Sequence, residues 1–501
     1  MNLFHFLDLA AARYPEKPAV ICGEDQRTFR DLKIRAVQLG AALLQMGIKK
    51  GSSVAILSTN SVAYVEILCA LTKIGAPGVP LNVRLTQSEI SWILARMDIQ
   101  AVFCETNLLD SINYLLGLPQ PHIITLGSSD EYEGIPYEEL FCRSIAADNF
   151  PIVSERDPSF IIFTAGTTGE PKGVVLTHGN HIWNTLNYTA ALAMTPADIE
   201  LAPTPLFHSS TLGRVFTYLF NGTTFILCKK FDPAESLSII QRHRVTAITQ
   251  VPTMYQMMLD VFDDKMWDTR SVRRAVSGAS CMPVNIKERL PLLFPGAGFY
   301  DIYGITEGGP GITVLTAKDF FPARDSVGKP MLSVEVKIAD CADQPCDPGQ
   351  VGEILCRGPN IMQGYINDSV ATSHALRGGW LHTGDIGWFD DEGFLHISGR
   401  KKDIIISGGI NIYPREVEAV LNRHPAIKEC AVIGAADALW GEKVSAAVVL
   451  KENHSCTQQE LIGFCKQHLA TFKCPRSVIF LQDLPRNAAG KIMKAEIKKL
   501  F

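Results

Sequence analysis

Short apolar, β-branched runs alternate with longer stretches of helical periodicity along most of this chain, and that alternation limits the folds open to it. Ser53 to Leu57 predicts a strand and Ser61 to Ile74 a helix. Ala101 to Cys104, His122 to Leu126, Phe160 to Phe163, Ala247 to Val251 and Arg274 to Val276 read as further buried strands. Continuous apolar strands separated by helices predict α/β layers on largely parallel sheets, because crossover helices cover both faces of such sheets. No repeat at a solenoid period interrupts the pattern.

The character changes near residue 400. Val351 to Arg357 and Gly393 to Ser398 suggest short antiparallel strands, followed by the polar Gly399-Arg400-Lys401-Lys402-Asp403. Downstream, the pattern predicts a strand at Ile404 to Ile406 and a helix at Pro414 to Asn422. Strands at Glu429 to Ile433 and Val444 to Leu450 follow, then a helix at Gln458 to Leu469 and a strand at Ser477 to Leu481. About 100 residues suffice for a small α+β domain with its own core. The boundary is therefore expected at Arg400 to Lys402, dividing a domain of residues 1–400 from one of 401–501.

With 501 residues, 47% hydrophobic and 20% charged, the chain has an ordinary globular composition and enough length for several folding units. A net charge of -5 gives no overall attraction to nucleic acid or anionic lipid. The 13 cysteines are scattered and lack a C-x-x-C pair, which favours neither a zinc site nor a disulfide framework. A reducing, cytoplasmic setting with buried thiols is expected. No apolar run reaches the ~18 residues of a membrane helix. The N-terminal segment, interrupted by His5 and Asp8, reads as an amphipathic helix and not as a leader. The G-x-S-x-G, H-E-x-x-H and G-x-G-x-x-G signatures are absent.

Residues 163 to 173 read Phe-Thr-Ala-Gly-Thr-Thr-Gly-Glu-Pro-Lys-Gly. A buried strand enters a loop of small hydroxyl residues and glycines that ends in one lysine. Gly166, Gly169 and Gly173 permit close backbone approach. Thr164, Thr167 and Thr168 offer hydroxyl and amide donors to phosphate oxygens, and Lys172 adds a point charge. This is polyphosphate chemistry without the Walker order, since Glu170 follows Gly169.

This string resembles the adenylate-forming superfamily: acyl-CoA synthetases, aryl-CoA ligases, nonribosomal peptide adenylation domains and beetle luciferases. Further motifs resemble it in order over roughly residues 10 to 501. Tyr303-Gly304-Ile305-Thr306-Glu307 follows a predicted strand at Gly298 to Ile302, and Ser277-Gly278-Ala279-Ser280, Thr383-Gly384-Asp385 and Asn487-Ala488-Ala489-Gly490-Lys491 are similar too. The resemblance implies a large N-terminal domain of layered α/β subdomains plus a β-barrel-like part, and a small mobile C-terminal α+β lid. It implies an AMP-forming ligase that uses ATP, Mg²⁺ and CoA in two steps.

It also implies roles. Thr164, Ala165, Gly166, Thr167, Thr168, Gly169 and Lys172 would hold the phosphates. Tyr303 would stack on adenine, with Asp301, Ile302 and Gly304 beside it, and Gly278, Ala279 and Ser280 would line the other side of the base. Thr306 would contact phosphate, and Glu307 and Thr167 would hold Mg²⁺, hard oxygen ligands suiting a hard cation. Asp385 would accept the ribose hydroxyls, and Arg400 would make a second ribose or phosphate contact. Lys491 would bridge the substrate carboxylate and the α-phosphate, where a cation stabilises charge developing in the transition state. Lys402 matches the hinge. Gly408 and Gly409 would border a pantetheine tunnel, Trp440 would line it, and Phe472, Lys473 and Arg476 would meet the CoA nucleotide.

Pro205-Leu206-Phe207-His208 resembles the segment that lines the acyl pocket, with His208 beside the carboxylate or gating the channel. Amino-acid-activating relatives carry an acidic residue here, whereas this chain has Leu206, Phe207, Ser209 and Ser210. Tyr255, Met254, Met257 and Met258 are candidates for an apolar pocket, with helix core as the other reading. An apolar acid is expected, with a fatty acid favoured and an aryl acid as the alternative. An acyl carrier protein stays open as acceptor in place of CoA, and both monomer and homodimer stay open.

Overall fold

The computed structural model describes residues 1–115, 121–127, 134–142, 149–164, 171–280, 282–437, 439–486 and 492–501. Contacts group the chain into two units. The larger is Met1–Met282, Ile286–Val336 and Cys356–His382; the smaller is Pro283–Asn285, Lys337–Leu355 and Thr383–Phe501.

The larger unit is built on two sheets. One runs through Gly364–Tyr365, Lys172–Thr177, Pro158–Thr164, Gly78–Pro80, Ser53–Leu57, Ile99–Glu105, His122–Leu126 and Ile135–Pro136. Every residue of Ser53–Leu57 is buried, and the strand pairs in parallel with both neighbours, as its unbroken apolar run predicts. Helix Val62–Ile74 follows it. Ser61 caps that helix by accepting the Tyr64 amide at 3.1 Å, and Gly75 ends it at φ +70°.

The second sheet runs through Lys329–Pro330, Thr313–Leu315, Gly298–Tyr303, Arg274–Gly278, Ala247–Gln250, Ile199–Ala202, Thr224–Leu227, Pro18–Cys22 and Asp25–Thr28. Its central strands are parallel, and its ends are antiparallel. The expected N-terminal amphipathic helix is present as Phe4–Arg13, with Phe4, Phe6 and Leu7 buried.

The smaller unit holds most of a four-stranded sheet, Glu335–Ala339, Gly352–Arg357, Leu381–Phe389 and Leu395–Arg400. It also holds a five-stranded sheet that is covered on both faces. Val432 and Val444 pack with Val417 and Leu461 of helices Pro414–Leu421 and Gln458–His468. Ala431 and Ile433 point the other way, toward Leu484 and Ile497. Strand Ile427–Asp437 outruns the predicted Glu429 to Ile433. Gly434, Ala435 and Ala436 have little intrinsic strand preference, but residue-by-residue pairing with Gly441–Leu450 carries them. Burial raises the thiols of Cys104 and Cys228 to about 12, as expected of inert core cysteines. Among the described residues no helix is long and apolar enough to cross a membrane.

Candidate active site

Strands Pro158–Thr164 and Lys172–Thr177 form an antiparallel pair in which Thr164 faces Lys172. Among the described residues, the Gly/Thr string is thus followed by a strand, where a P-loop would lead into a helix. Ala165, Gly166, Thr167, Thr168 and Gly169 lie outside the described residues. Lys172 places its ammonium 5.1 Å from the centroid of the Tyr365 ring.

The Tyr303 motif begins at the end of strand Gly298–Tyr303 and folds back sharply. The Ile312 amide donates to the Tyr303 carbonyl at 2.9 Å. A Cβ on Gly304 would lie 1.5 Å from the Pro310 carbonyl oxygen, so no larger residue fits there. Buried Asn360 fastens the loop from inside, its amide donating to the carbonyls of Gly308 at 2.5 Å and Gly311 at 3.1 Å. Thr306 and Glu307 sit in the one-turn helix Thr306–Gly308 on this braced backbone. The Thr306 hydroxyl lies 3.0 Å from that of Ser209, and Glu307 Oε1 accepts the Tyr365 hydroxyl at 3.0 Å. Burial first, and then the Glu307 carboxylate, push the Tyr365 phenol far above its ordinary value, so it stays a donor.

His208 directly precedes helix Ser209–Asn221, half-buried, its ring 4.7 Å from that of Phe207. The Ser209 contact thus ties the predicted acyl segment to the predicted phosphate threonine. Gly278 ends its strand beside Ile302. Ala279 is exposed at φ +65°, a left-handed conformation that a non-glycine residue holds at some cost, and Ser280 is exposed next to it. Tyr303 is 8% exposed. Asp301 is turned inward, its carboxylate 3.1 Å from the Lys287 ammonium in a pair that is almost fully buried. Tyr255 is also buried, its hydroxyl donating to the Val276 carbonyl at 2.9 Å, which makes it a brace between helix and sheet.

In the smaller unit, Asp385 and Arg400 are cross-strand partners. Glu353 accepts the Gly384 amide at 3.2 Å and the Lys401 ammonium at 2.9 Å, which steadies the Thr383-Gly384-Asp385 turn. Lys402 is exposed in the one-turn helix Lys401–Asp403. Gly408, at φ +58°, donates its amide to the Trp440 carbonyl at 2.8 Å, and a Cβ there would lie 2.6 Å from the indole. The Arg476 guanidinium stands 5.0 Å from the Trp440 ring centroid, so three of the residues predicted for CoA come together. Gly409 has open space beside it. Phe472 is 43% exposed next to Lys473, whose ammonium is paired with Glu416. Lys491 lies outside the described residues.

The family model of the AMP-binding enzyme matches residues 7–366, and that of the AMP-binding enzyme C-terminal domain matches residues 416–491. The chain belongs to the AMP-binding enzyme family. It is 36% identical over 490 residues to a feruloyl-CoA synthase of Amycolatopsis sp, covering 97% of this chain and 96% of the relative. It is 34% identical over 488 residues to a 2-succinylbenzoate–CoA ligase of Geobacillus sp. (strain WCH70), covering 97% and 95%. Its fold matches the o-succinylbenzoate coenzyme A synthetase of Bacillus subtilis, solved in complex with ATP and magnesium ion. That match has a TM-score of 0.88 and 32% identity, and covers 98% of this chain and 99% of the other. The chain is thus an adenylate-forming enzyme of the acid–thiol ligase type.

Sequence reasoning missed Tyr365, Asn360 and the contact role of Ser209. Tyr365 sits in a bare Gly-Tyr pair and Asn360 in Gly-Pro-Asn, which reads as a turn. Only the strand pairing of Tyr365 with Val174 brings it to Lys172.

Proposed function

We propose that this chain is an ATP-dependent CoA ligase for an aromatic carboxylic acid. The observation that carries the reading is the convergence of Lys172, Glu307 and Thr306 on braced backbone beside the acyl segment, within a chain of this family. In the first step the substrate carboxylate attacks the α-phosphorus of ATP and pyrophosphate leaves. Lys172 and the hydroxyls and amides of residues 164–169 hold the polyphosphate, with Thr306 as a further contact. Glu307 fits a hard divalent cation: it is a carboxylate whose Oε1 is already oriented by a phenol donor. Such an ion, shared with Thr167, would neutralise phosphate charge. Lys491 stabilises the charge that develops between carboxylate and phosphate.

In the second step the CoA thiol attacks the acyl carbonyl, the thiol proton is lost, and AMP leaves. Residues 401–501 act as a lid that turns about Lys402, replacing Lys491 with a thiol channel bordered by Gly408, Gly409 and Trp440. Arg476 and Phe472 take the CoA nucleotide. Asp385 holds the AMP ribose, and Arg400 makes a second contact to ribose or phosphate.

The names of the relatives, feruloyl and 2-succinylbenzoate ligases, support the aryl alternative over the fatty acid that the sequence favoured. Leu206 and Phe207, both buried, give the acyl segment the apolar character that either acid needs. The test is carboxylate-dependent AMP release with MgATP across cinnamic, benzoic, fatty and amino acids, with and without CoA. CoA-stimulated release with an aromatic acid supports the reading. Release with fatty acids alone overturns the substrate class, and adenylation indifferent to CoA overturns the acceptor.

A further inference from the structure

We propose that Tyr365 is a positioning residue that sets both polyphosphate-side contacts at once, holding Lys172 with its ring face and Glu307 with its hydroxyl. The proposal rests on the ATP reading above. The two contacts come from opposite parts of one side chain. The Lys172 ammonium lies 5.1 Å from the ring centroid, within cation–π range, and the phenol donates to Glu307 Oε1 at 3.0 Å. Lys172 belongs to the loop-and-strand motif and Glu307 to the Tyr303 motif, and Tyr365 belongs to neither. It is the only side chain among the described contacts to touch both.

Its own placement is firm. Tyr365 pairs across the sheet edge with Val174, and its amide donates to the Thr372 hydroxyl at 2.8 Å. The preceding residue must be glycine. At φ +156° a Cβ on Gly364 would lie 2.7 Å from the Thr372 methyl. The ring is therefore held by a segment anchored to both motifs, the Ile366 amide donating to the Gly173 carbonyl at 2.8 Å and the Met362 amide to the Glu307 carbonyl at 2.9 Å.

The chemistry explains why the residue is tyrosine. A donor on Oε1 fixes the rotation of the carboxylate and leaves Oε2 to face a cation. The aromatic face restrains a long ammonium chain without neutralising it, as a carboxylate would, so its charge stays available to phosphate. Phenylalanine keeps the second function and loses the first; leucine loses both.

The experiment uses the full chain, α,β-methylene-ATP and Mn²⁺, the ion being followed by electron paramagnetic resonance and the nucleotide by calorimetry. Tyr365→Phe is expected to weaken Mn²⁺ binding in the nucleotide complex about 10-fold, the scale of losing an outer-shell partner. Nucleotide affinity at saturating Mn²⁺ should stay within about twofold of the parent, whereas Tyr365→Leu should weaken both. In a Glu307→Ala background, adding Tyr365→Phe should cost nothing further, because the hydroxyl acts through that carboxylate. Unchanged Mn²⁺ binding in Tyr365→Phe overturns the proposal, as does a further loss in the Glu307→Ala background. If the parent chain binds no nucleotide, the ATP reading falls and this proposal falls with it.

Discussion

Arg400 and Asp385 face each other across one antiparallel strand pair, with Arg400 Nε 3.2 Å from Asp385 Oδ1. Asp385 is nearly buried and Arg400 is about half exposed. In the function proposed above, this pairing would hold the carboxylate for the ribose hydroxyls while the half-exposed guanidinium could make the second contact. Two residues that sequence alone links only through family resemblance are thus one structural unit.

Removing the carboxylate should cost more than one ribose hydrogen bond. Asp385→Ala deletes the acceptor and frees Arg400 from its partner. Hydrogen bonds to charged groups are worth about 1.5–3 kcal/mol, so kcat/KM for ATP should fall about 10- to 100-fold. Asp385→Asn, which keeps one acceptor, should fall less. Carboxylate-dependent ATP–pyrophosphate exchange measures both.

The pair Lys287–Asp301 makes a prediction about folding. Both side chains are almost fully buried, 3.1 Å apart, and the Lys287 ammonium also lies 5.0 Å from the Phe320 ring centroid. Lys287→Met would remove the buried ammonium that faces the Asp301 carboxylate and should cost about 3–5 kcal/mol. Replacing both, as Lys287→Met with Asp301→Leu, should recover most of that loss. Urea unfolding checks the difference, and a neutral single variant would deny the ion pair.

Buried histidines give the enzyme an acid limit. His178 accepts the Leu3 amide on Nδ1 at 3.2 Å, and His181 lies edge-on to Phe160, their ring centroids 5.5 Å apart. Burial is the main cause that lowers them, His178 to about 4 and His181 to about 3, from an ordinary 6.5. Between pH 6.5 and those values the unfolded chain binds protons that the folded chain refuses. Stability should therefore be full above pH 6.5 and fall as pH drops, by up to about 1.4 kcal/mol per pH unit for each imidazole. His181→Phe should remove one proton's share of the slope in urea unfolding from pH 7 to 5.

Legibility followed locality. Ser53–Leu57 and helix Val62–Ile74 were readable because an unbroken apolar run, a capping serine and a terminal glycine are local signals. The family was readable because the strings at 163–173, 303–307 and 383–385 are each short and local. Lys287 was not, since a lysine on a helix reads as solvated until the strand bearing Asp301 is seen beneath it. Asn360 and Tyr365 were hidden for the same reason, each acting on backbone or side chains some 50 residues away in sequence. Gly304 was read as a nucleotide contact, but close approach to Pro310 is enough to require it.

The two half-reactions should be separable by substitution. Lys491→Ala removes the cation proposed to act between carboxylate and phosphate, so adenylation should fall about 10²- to 10³-fold. Thioester formation from supplied acyl-adenylate should survive, since in the proposed second step the lysine is withdrawn. Trp440→Ala should do the reverse. The indole touches Gly408 and stands 5.0 Å from the Arg476 guanidinium, so its loss should disorganise the proposed CoA surface and leave the Lys172 and Glu307 contacts untouched. KM for CoA should rise while pyrophosphate exchange stays at the parent level. Lys402→Pro should side with Trp440→Ala, because a proline there would stiffen the turn proposed as the lid's pivot. Equal loss of both half-reactions in Lys402→Pro would move the hinge elsewhere, and equal loss in Lys491→Ala would strip that lysine of its assigned step.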